Sequence, residues 1–308
     1  TMIFKPSEQV PLSGARVAEL LTQAGLPDGV FNVVHGDKQV VQSICNHADV
    51  EALTFVGSTP VAKTVYAQAT ATYKRALAMG GAKNHLIVMP DADVEHTAAN
   101  VAASACGCAG QRCMAAATMV AVGEVDHIVE QVVNQSRALV PGENLGAVIS
   151  ADAKARIENF INEAEEQGAS VLLDGRNTTV EGCENGTYVG PTVLDNVTPE
   201  MNIASAEVFG PVLSIIRTGN LDEAIELENA SPYGNAAVVY TQDGQVAREF
   251  TDRASAGMIG VNVGVPVPRE PFGFGGWNDS RFGVGDITGR GSIQFWTQSK
   301  KITSHWVE

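Results

Sequence analysis

One cysteine lies in a loop of small residues that suits covalent chemistry. Cys113 belongs to the stretch Ala109-Gly110-Gln111-Arg112-Cys113-Met114-Ala115, directly after a predicted helix of small residues at Val101–Cys108. A nucleophilic thiol needs backbone N–H groups that stabilise an oxyanion and a nearby cation that favours the thiolate. Gly110 and Arg112 supply these two ingredients. A buried structural cysteine fits the same context, so both interpretations stay open at this point.

The cysteines as a group do not form a pattern for disulfide or metal chemistry. The chain has 5 cysteines in 308 residues, too few for a disulfide framework and odd in number, so at least one thiol is free. This usage predicts a reducing compartment. The spacing C-x-C-x4-C from Cys106 to Cys113 permits a metal cluster. Zinc sites favour C-x2-4-C pairs with distant partners, however, and we predict no metal.

Composition and charge exclude several classes of protein. Hydrophobic residues make up 44% and charged residues 18% of the chain, which is typical of a globular protein. The formal net charge of −15 would repel nucleic acid and an anionic membrane, so neither is an expected partner. No apolar run reaches the roughly 18 residues of a membrane helix, and the first residues lack the segments of a signal peptide. We therefore expect a cytoplasmic protein, or a mitochondrial matrix protein in a eukaryote.

Short apolar runs that alternate with helical periods must position the cysteine loop. This alternation predicts an α/β fold with crossover helices. Most of the runs lack polar alternation, as buried parallel strands do. Helices are predicted at Leu12–Ala24 and around Ile157–Ala164, the second of which ends at Gly168. The strand candidates are Phe31–Val34, Ala52–Val56, Leu86–Met89, Met119–Val122, Val171–Leu173, Val212–Ile216, Ala237–Tyr240 and Met258–Val263.

The two ends of the chain carry patterns of their own. Thr1–Phe4 looks like the second half of a strand, and we expect an N-terminally truncated chain. Val265–Gly291 is rich in Gly, Pro and aromatic residues, which predicts a long irregular segment at a surface or an active-site mouth. The alternation of Ile293 and Phe295 predicts a strand within Ser292–Trp306, at a sheet edge or paired with a partner subunit.

Five motifs in order carry a family resemblance. The chain resembles the NAD(P)-dependent aldehyde dehydrogenase superfamily over essentially its whole length, and the ordered set favours Cys113 as the nucleophile. The motifs are Lys5-Pro6-Ser7-Glu8, Phe55-Val56-Gly57-Ser58-Thr59, Gly110-Gln111-Arg112-Cys113, Glu207-Val208-Phe209-Gly210-Pro211-Val212 and Ser231-Pro232-Tyr233-Gly234.

The resemblance implies an aldehyde dehydrogenase-like α/β fold with an open Rossmann-type cofactor domain. Residues 1–80 would form the C-terminal part of the NAD-binding domain, and residues 81–275 the α/β catalytic domain. Residues 276–308 would form a C-terminal segment that contains the oligomerisation strand. A homodimer or homotetramer follows from the same resemblance.

The resemblance also implies a set of NAD-binding residues that contact four parts of the cofactor. They are Lys5 and Glu8 at the adenosine ribose, Gly57 and Ser58 at the pyrophosphate, Glu207 at the nicotinamide ribose, and Phe209 near the nicotinamide. A carboxylate at the adenosine ribose favours NAD over NADP, and a helix N-terminus binds a pyrophosphate. Without the motif, Glu207 and Phe209 would be interpreted as a surface carboxylate and a core aromatic residue.

The chain departs from the family at one glutamate. Hydrolytic members carry E-L-G-G-K, in which the glutamate activates both the thiol and the deacylating water. This chain has Ala78-Met79-Gly80-Gly81-Ala82-Lys83, so aligning Lys83 with the family lysine places Met79 at that position. A thioether is no base, and water then lacks an activator, whereas a thiol such as coenzyme A still attacks a thioester. His85 is close in sequence, but beside a turn it is more often a structural hydrogen-bonding residue.

Within the family, the runs G-A-K-N-H and G-x-R-C-M-A are similar to those of the CoA-acylating methylmalonate-semialdehyde dehydrogenases. Arg112 then fits a substrate that is itself a carboxylate, with a structural salt bridge as the alternative role. The resemblance implies NAD-dependent oxidation of methylmalonate or malonate semialdehyde through a Cys113 thioester, with decarboxylation to propionyl-CoA or acetyl-CoA. A hydrolytic enzyme with a substitute base is one alternative. An inactive nucleotide-binding fragment is the other, because the family's oxyanion asparagine and a second carboxylate-binding arginine precede the K-P-S-E motif.

Overall fold

Strands and helices alternate through residues 1–307, the part of the chain that the computed structural model describes. The strands are β1 (Met2–Phe4), β2 (Phe31–Val33), β3 (Ala52–Val56), β4 (Arg75–Met79), β5 (Asn84–Val88), β6 (Ala116–Val122), β7 (Ser170–Leu173), β8 (Thr192–Asp195), β9 (Val212–Thr218), β10 (Tyr233–Gly234), β11 (Ala236–Tyr240), β12 (Met258–Val261), β13 (Trp277–Asn278) and β14 (Arg281–Phe282). The helices are α1 (Pro11–Gln23), α2 (Lys38–Asn46), α3 (Thr59–Ala71), α4 (Val94–Cys106), α5 (Asp126–Arg137), α6 (Ala151–Glu166), α7 (Asn202–Ser205), α8 (Leu221–Asn229), α9 (Gly244–Arg253) and α10 (Gly289–Trp296).

The largest sheet has the strand order β12-β11-β5-β6-β9-β8-β7. Its neighbouring strands are parallel, except that β7 and β8 are antiparallel. Every residue of β5 and of β11 is buried, as expected for parallel strands covered on both faces. Helices α4, α5 and α6 cover one face, and α8 and α9 cover the other. Strands β5, β6 and β9 are parallel neighbours, so their first residues lie side by side at the end of the sheet where the cysteine loop lies.

Smaller sheets adjoin the large one. Strands β3 and β4 are parallel, and β14 returns late in the chain to pair with β4 in antiparallel fashion. Strands β1 and β2 form a parallel pair, and β10 and β13 an antiparallel pair. The chain passes from the sheet of β4 to the sheet of β5 through residues 80–83. The domain limits at residues 80 and 275 stay a prediction.

Most of the predicted elements are confirmed. Each of the eight strand candidates contains a strand, with bounds that differ by at most a few residues. The three predicted helices correspond to α1, α4 and α6, and α6 ends before Gly168, which has a positive φ of 105°. Strands β4 and β8 and the two-residue strands β10, β13 and β14 were not predicted. The stretch Arg75-Ala76-Leu77-Ala78-Met79 of β4 is rich in good helix formers, and only its pairing with β3 and β14 makes it extended.

In the described chain the segment Ser292–Trp306 forms no strand at Ile293 and Phe295, and its pairing with a partner subunit stays a prediction. The segment begins inside α10, and residues 297–307 have no regular secondary structure. Phe295 is 7% exposed and packs against Leu77 and Met79, whereas Ile293 is 65% exposed, so the apparent alternation does not mark one sheet face. The anchoring of Phe295 on β4 therefore selects a helical turn at this point.

Among residues 1–307, no helix is both long enough and apolar enough to span a bilayer.

Candidate active site

Helix α4 leads into the cysteine loop, which lies at the end of the large sheet where β6 begins. The helix begins at its N-cap residue Asp93, whose carboxylate accepts a hydrogen bond from the backbone N–H of His96. Its small buried side chains, such as Ala98 and Ala102, allow close packing against α5. The helix ends at Cys106, and a 3₁₀ turn at Gly107–Gly110 follows. The cysteine loop, residues 107–115, is thus anchored to a rigid element.

The turn before Cys113 is built from consecutive residues in the left-handed region. Cys108, Ala109 and Gly110 have φ values of 54°, 52° and 69°. A Cβ on Gly110 would lie 1.9 Å from the carbonyl oxygen of Gly210. The cysteine loop therefore touches the backbone of the segment that carries Glu207, and only glycine permits this approach.

We expect Gly110→Ala to lower the free energy of unfolding by about 2–4 kcal/mol, because a positive φ costs about 1–2 kcal/mol and the clash adds a similar amount. Urea denaturation followed by circular dichroism measures this change. Gly146→Ala is the matched control, since a Cβ at Gly146 meets nothing within 4 Å. Equal losses of stability in the two variants would contradict the close approach.

Four residues with predicted roles surround one cavity. Arg112, Cys113, Glu207 and Phe209 all line it, and Cys113 is half-buried. Burial raises the pKa of the Cys113 thiol, and the carboxylate of Glu207 raises it further. Hydrogen bonds from the backbone N–H groups of Cys113 and Met114, together with the Arg112 charge, lower the same pKa. The thiol therefore sits between opposing influences that a bound ligand can shift.

Arg112 uses only part of its hydrogen-bonding capacity within the protein. Its Nη2 donates to the backbone carbonyls of Ala103 and Ser104, at 3.1 Å and 3.0 Å, near the end of α4. Its buried Nε has no partner among the described residues. Within residues 1–307 the guanidinium also makes no ion pair, so the predicted alternative of a structural salt bridge is not what the structure contains. Arg112 retains donor capacity beside Cys113.

Glu207 and Lys83 form the charged side of the site. The backbone N–H of Ala82 donates to Oε1 of Glu207 at 3.1 Å, and a Cβ on Gly81 would lie 2.5 Å from Oε2. Burial raises the pKa of Glu207, while the Ala82 N–H, Arg156 and Lys83 oppose that rise. Burial lowers the pKa of the Lys83 ammonium to about 7, and Glu207 opposes this shift. The glycine pair before Lys83 lets the carboxylate approach the backbone closely.

Position 79 holds no acid or base. Met79 is the last residue of β4, is 4% exposed, and packs with Leu77 and Phe295. His85 is fully buried on β5, and burial together with the Lys83 charge lowers its pKa to about 3. An imidazole with so low a pKa holds a proton poorly, so His85 is a weak candidate for a general base.

The other four predicted NAD-binding residues, Lys5, Glu8, Gly57 and Ser58, follow strands of the smaller sheets. Lys5 Nζ lies 3.0 Å from Glu8 Oε2 and donates to the carbonyl of Gly36 at 2.7 Å, directly after β1. Gly57 follows β3, and the exposed Ser58 is the N-cap residue of α3. The Ser58 side chain makes no capping hydrogen bond, so the N-terminus of α3 keeps donors available. These four residues do not line the cavity that contains Cys113.

Thr59 connects the two groups of residues. Its Oγ1 accepts a hydrogen bond from the backbone N–H of Gly81 at 2.8 Å, and the next residue, Ala82, donates to Glu207. The start of α3 is therefore two hydrogen bonds away from a residue of the Cys113 cavity.

The remaining cysteines are separate from this site. Cys45 and Cys106 are buried, Cys108 and Cys183 are exposed, and all of the cysteines are free thiols. Burial raises the pKa of Cys106 to about 12, which makes its thiol unreactive. In the described part of the chain, no group of three or more His, Cys, Asp or Glu side chains is arranged to hold a metal ion.

Known proteins resemble both the sequence and this fold. The family model described as the aldehyde dehydrogenase family matches residues 1–302. The chain belongs to the aldehyde dehydrogenase family. The malonate-semialdehyde dehydrogenase of Halalkalibacterium halodurans is 45% identical over 99% of this chain, which covers 64% of that relative. The mitochondrial acylating methylmalonate-semialdehyde/malonate-semialdehyde dehydrogenase of Rattus norvegicus is 43% identical, with 100% of this chain and 59% of the relative covered.

Solved aldehyde dehydrogenase structures superimpose closely on the chain. One from Sinorhizobium meliloti 1021, assigned as a methylmalonate-semialdehyde dehydrogenase and complexed with NAD, has a TM-score of 0.97 and 44% identity. The methylmalonate-semialdehyde dehydrogenase of Oceanimonas doudoroffii has a TM-score of 0.97 and 42% identity. Each comparison covers 99% of this chain and 64% of the other. The predicted aldehyde dehydrogenase-like α/β fold is confirmed, and the chain spans less than two thirds of these relatives.

Several residues of the site were not predicted. Asn84 and Asn235 both bond the backbone carbonyl of Cys113, and Thr59 joins α3 to Gly81. Asn84 belongs to the G-A-K-N-H run, and Asn235 directly follows Ser231-Pro232-Tyr233-Gly234. Their adjacency to those motifs was the available signal, but the sequence does not show what the two amides contact.

Proposed function

We propose that the protein carries out NAD-dependent, CoA-acylating oxidation of malonate or methylmalonate semialdehyde, with Cys113 as the nucleophile and Arg112 as the substrate-carboxylate residue. The supporting observation is that Cys113 shares a cavity with Arg112, whose buried Nε has no partner in the described chain. The names of the relatives, which act on these semialdehydes, support the same substrate class.

The residues present fit a bound NAD. The helix α3 begins with an uncapped Ser58, and an N-terminus of this kind binds a pyrophosphate. The exposed Glu8, held by Lys5, offers a carboxylate to ribose hydroxyls, and its pKa is lowered by hydrogen bonds to backbone N–H and Lys5. NAD, when bound, supplies the hydride acceptor. A related structure solved with NAD supports this assignment.

The chain's own residues account for the covalent steps. The Cys113 thiolate adds to the aldehyde carbon and forms a hemithioacetal, which becomes a thioester when its hydride is removed. Arg112 holds the carboxylate of the substrate through its guanidinium, of which Nη2 alone is engaged by the described residues. That carboxylate leaves as CO2, the bonding electrons move to the thioester carbonyl as an enolate, and the enolate takes up a proton. The thiol of coenzyme A then attacks the thioester, which yields acyl-CoA and returns the Cys113 thiol.

Self-association and a reducing compartment are part of this proposal. Exposed Ile302, Trp306 and Val307, at 80%, 90% and 83%, offer apolar surface for a second copy in a homodimer or homotetramer. The cysteines of the described chain are free thiols, which is typical of a reducing compartment such as the cytoplasm or the mitochondrial matrix. The rat relative is described as mitochondrial.

In the whole protein, we expect Arg112→Leu to lower kcat/KM for malonate semialdehyde about 30- to 1,000-fold. This corresponds to a loss of about 2–4 kcal/mol of transition-state stabilisation, as for a truncated charge pair. The reason is that Arg112 is the one cationic side chain among the described residues that line the cavity. Propionaldehyde has no carboxylate and should lose far less. The experiment compares steady-state NADH formation on the two aldehydes.

Arg112→Lys is the conservative control, which keeps the charge but loses the planar two-point fork, and it should recover part of the loss. An equal loss of kcat/KM on both aldehydes would mean that Arg112 shapes the cysteine loop through Ala103 and Ser104 and does not bind the carboxylate.

A further inference from the structure

Two buried amides converge on a single backbone carbonyl beside the thiol. Asn84 Nδ2 donates to the carbonyl oxygen of Cys113 at 2.8 Å, and Asn235 Nδ2 donates to the same oxygen at 3.0 Å. Each asparagine is 4% exposed. They come from different parts of the chain, since Asn84 begins β5 and Asn235 lies between β10 and β11. A carbonyl oxygen with two buried side-chain donors is held more firmly than an ordinary loop carbonyl.

The orientation of Asn84 is fixed by its other hydrogen bonds. Its Nδ2 also donates to the carbonyl of Ala115 at 2.8 Å, and its Oδ1 accepts the backbone N–H of Ala236 at 3.1 Å. Both amide hydrogens and the amide oxygen are therefore engaged. Asn235 Nδ2 additionally contacts Met114 Sδ at 3.1 Å. Asn84 and Asn235 thus join strands β5 and β11 to the cysteine loop.

The carbonyl that they hold belongs to the peptide between Cys113 and Met114. A trans peptide is planar, with its N–H on the side opposite to its C=O. Fixing the Cys113 oxygen therefore also fixes the direction of the Met114 N–H. That N–H is one of the backbone donors that lower the pKa of the Cys113 thiol. Donation to the carbonyl polarises the peptide and makes its N–H a better donor.

We propose that Asn84 and Asn235 are positioning residues, which hold the Cys113–Met114 peptide so that its N–H stabilises the thiolate of Cys113. The importance of this arrangement for turnover rests on the proposed role of Cys113 as nucleophile. The arrangement itself is a property of the thiol, which is measurable without turnover.

The charged groups around the thiol act in opposite directions. Glu207 disfavours the thiolate, whereas Arg112 favours it. The buried neighbours Ala236 and Met258 of the same cluster carry no charge. The backbone N–H groups of Cys113 and Met114 therefore support the thiolate together with Arg112.

The test is the pH profile of iodoacetamide labelling at Cys113 in the full chain, resolved by peptide mass mapping. Asn235→Leu removes the amide donor without adding charge. We expect its profile to move to higher pH by about one unit, which is about tenfold less thiolate at a given pH. Cys108 is exposed and is read in the same samples, where its profile should stay unchanged.

Asn229→Leu is the matched control. Asn229 also donates to a backbone carbonyl, that of Arg253 at 3.0 Å, and accepts a backbone N–H, that of Ser255 at 2.7 Å, but it does not contact the loop. Its Cys113 profile should equal that of the unsubstituted chain. An unchanged Cys113 profile in folded Asn235→Leu, or an equal shift in Asn229→Leu, would overturn the proposal.

A second variant keeps the test decisive if Asn235→Leu fails to fold. Asn84→Ser retains a small polar group but cannot reach both carbonyls, and we expect a shift in the same direction. An unshifted profile there would overturn the proposal equally. Full activity in Cys113→Ala would instead overturn the proposed function and leave a labelling shift intact, so the two failures are distinguishable.

Discussion

Cys113→Ala is expected to lower acylation of the protein by an activated ester at least about 10⁴-fold, because removal of a nucleophile leaves no covalent route. The probe is p-nitrophenyl acetate, which needs no NAD. The Cys113 thiolate attacks the ester carbonyl, p-nitrophenolate leaves, and an acetyl thioester remains on the sulfur. Stopped-flow absorbance of p-nitrophenolate measures the burst, and mass mapping locates the acetyl group.

Two other cysteines provide controls for this experiment. Cys106 is buried with a pKa raised to about 12, and Cys108 is exposed but outside the cavity lining. Cys106→Ala and Cys108→Ala should both keep the burst amplitude. Thermal melting verifies that each variant is folded. A full burst in folded Cys113→Ala, or an acetyl group mapped to Cys108, would show that the nucleophile is another residue.

The pH dependence of this burst follows from the groups around the thiol. Burial and the Glu207 carboxylate raise the pKa of Cys113, so the thiolate and the acylation rate increase with rising pH. The raised pKa of Glu207 places part of its ionisation closer to neutrality than an ordinary carboxyl. Protonation of Glu207 at lower pH removes one charge that opposes the thiolate, which makes the acidic part of the profile shallower than a single titration.

The elements that sequence alone predicted are those with strong local signals. Strands β9 and β11 are runs of β-branched and apolar residues, and α1 and α6 have glycines just beyond their ends. The strand β4 lacked such a signal, because its alanines and leucine favour a helix in isolation. The C-terminal segment misled for the opposite reason: its local alternation is real, but contacts with Leu77 and Met79 decide its conformation.

The residues of the site likewise fall into two groups, those that a local motif identifies and those that only contacts with distant parts of the chain identify. The motif resemblance named Arg112, Cys113, Glu207 and Phe209, which line one cavity. It did not name Asn235, whose hydrogen bond to Cys113 spans 122 positions of the sequence. Nor did it reveal that Gly110 touches Gly210, a contact between two loops. Pairings at such separations depend on the completed sheet, so no local pattern carries them.

The absence of a carboxylate at position 79 predicts that water hydrolyses the Cys113 thioester slowly, so that the protein stays acylated until a thiol attacks. In the described structure Met79 lies among Leu77 and Phe295, with no base at that position, and a general base contributes about 10²–10⁴-fold to water attack. After the p-nitrophenyl acetate burst, turnover should therefore be slow. Coenzyme A should accelerate the slow phase at least about 100-fold without changing the burst amplitude, because its thiol attacks the thioester directly.

Restoring a carboxylate tests the same reasoning from the other side. Met79→Glu should speed deacylation by water, whereas Met79→Gln, with the same shape and no base, should leave the slow phase as it is. The neutral forms of the two side chains bear a similar burial cost in this apolar cluster, so a difference that appears as the carboxyl ionises isolates the base. The apolar surroundings raise the pKa of the new carboxyl, and its effect should grow as pH rises through that value. Rapid turnover of the unsubstituted protein without any thiol would contradict the acylating mechanism, and loss of that turnover in Glu207→Gln would then assign water activation to Glu207.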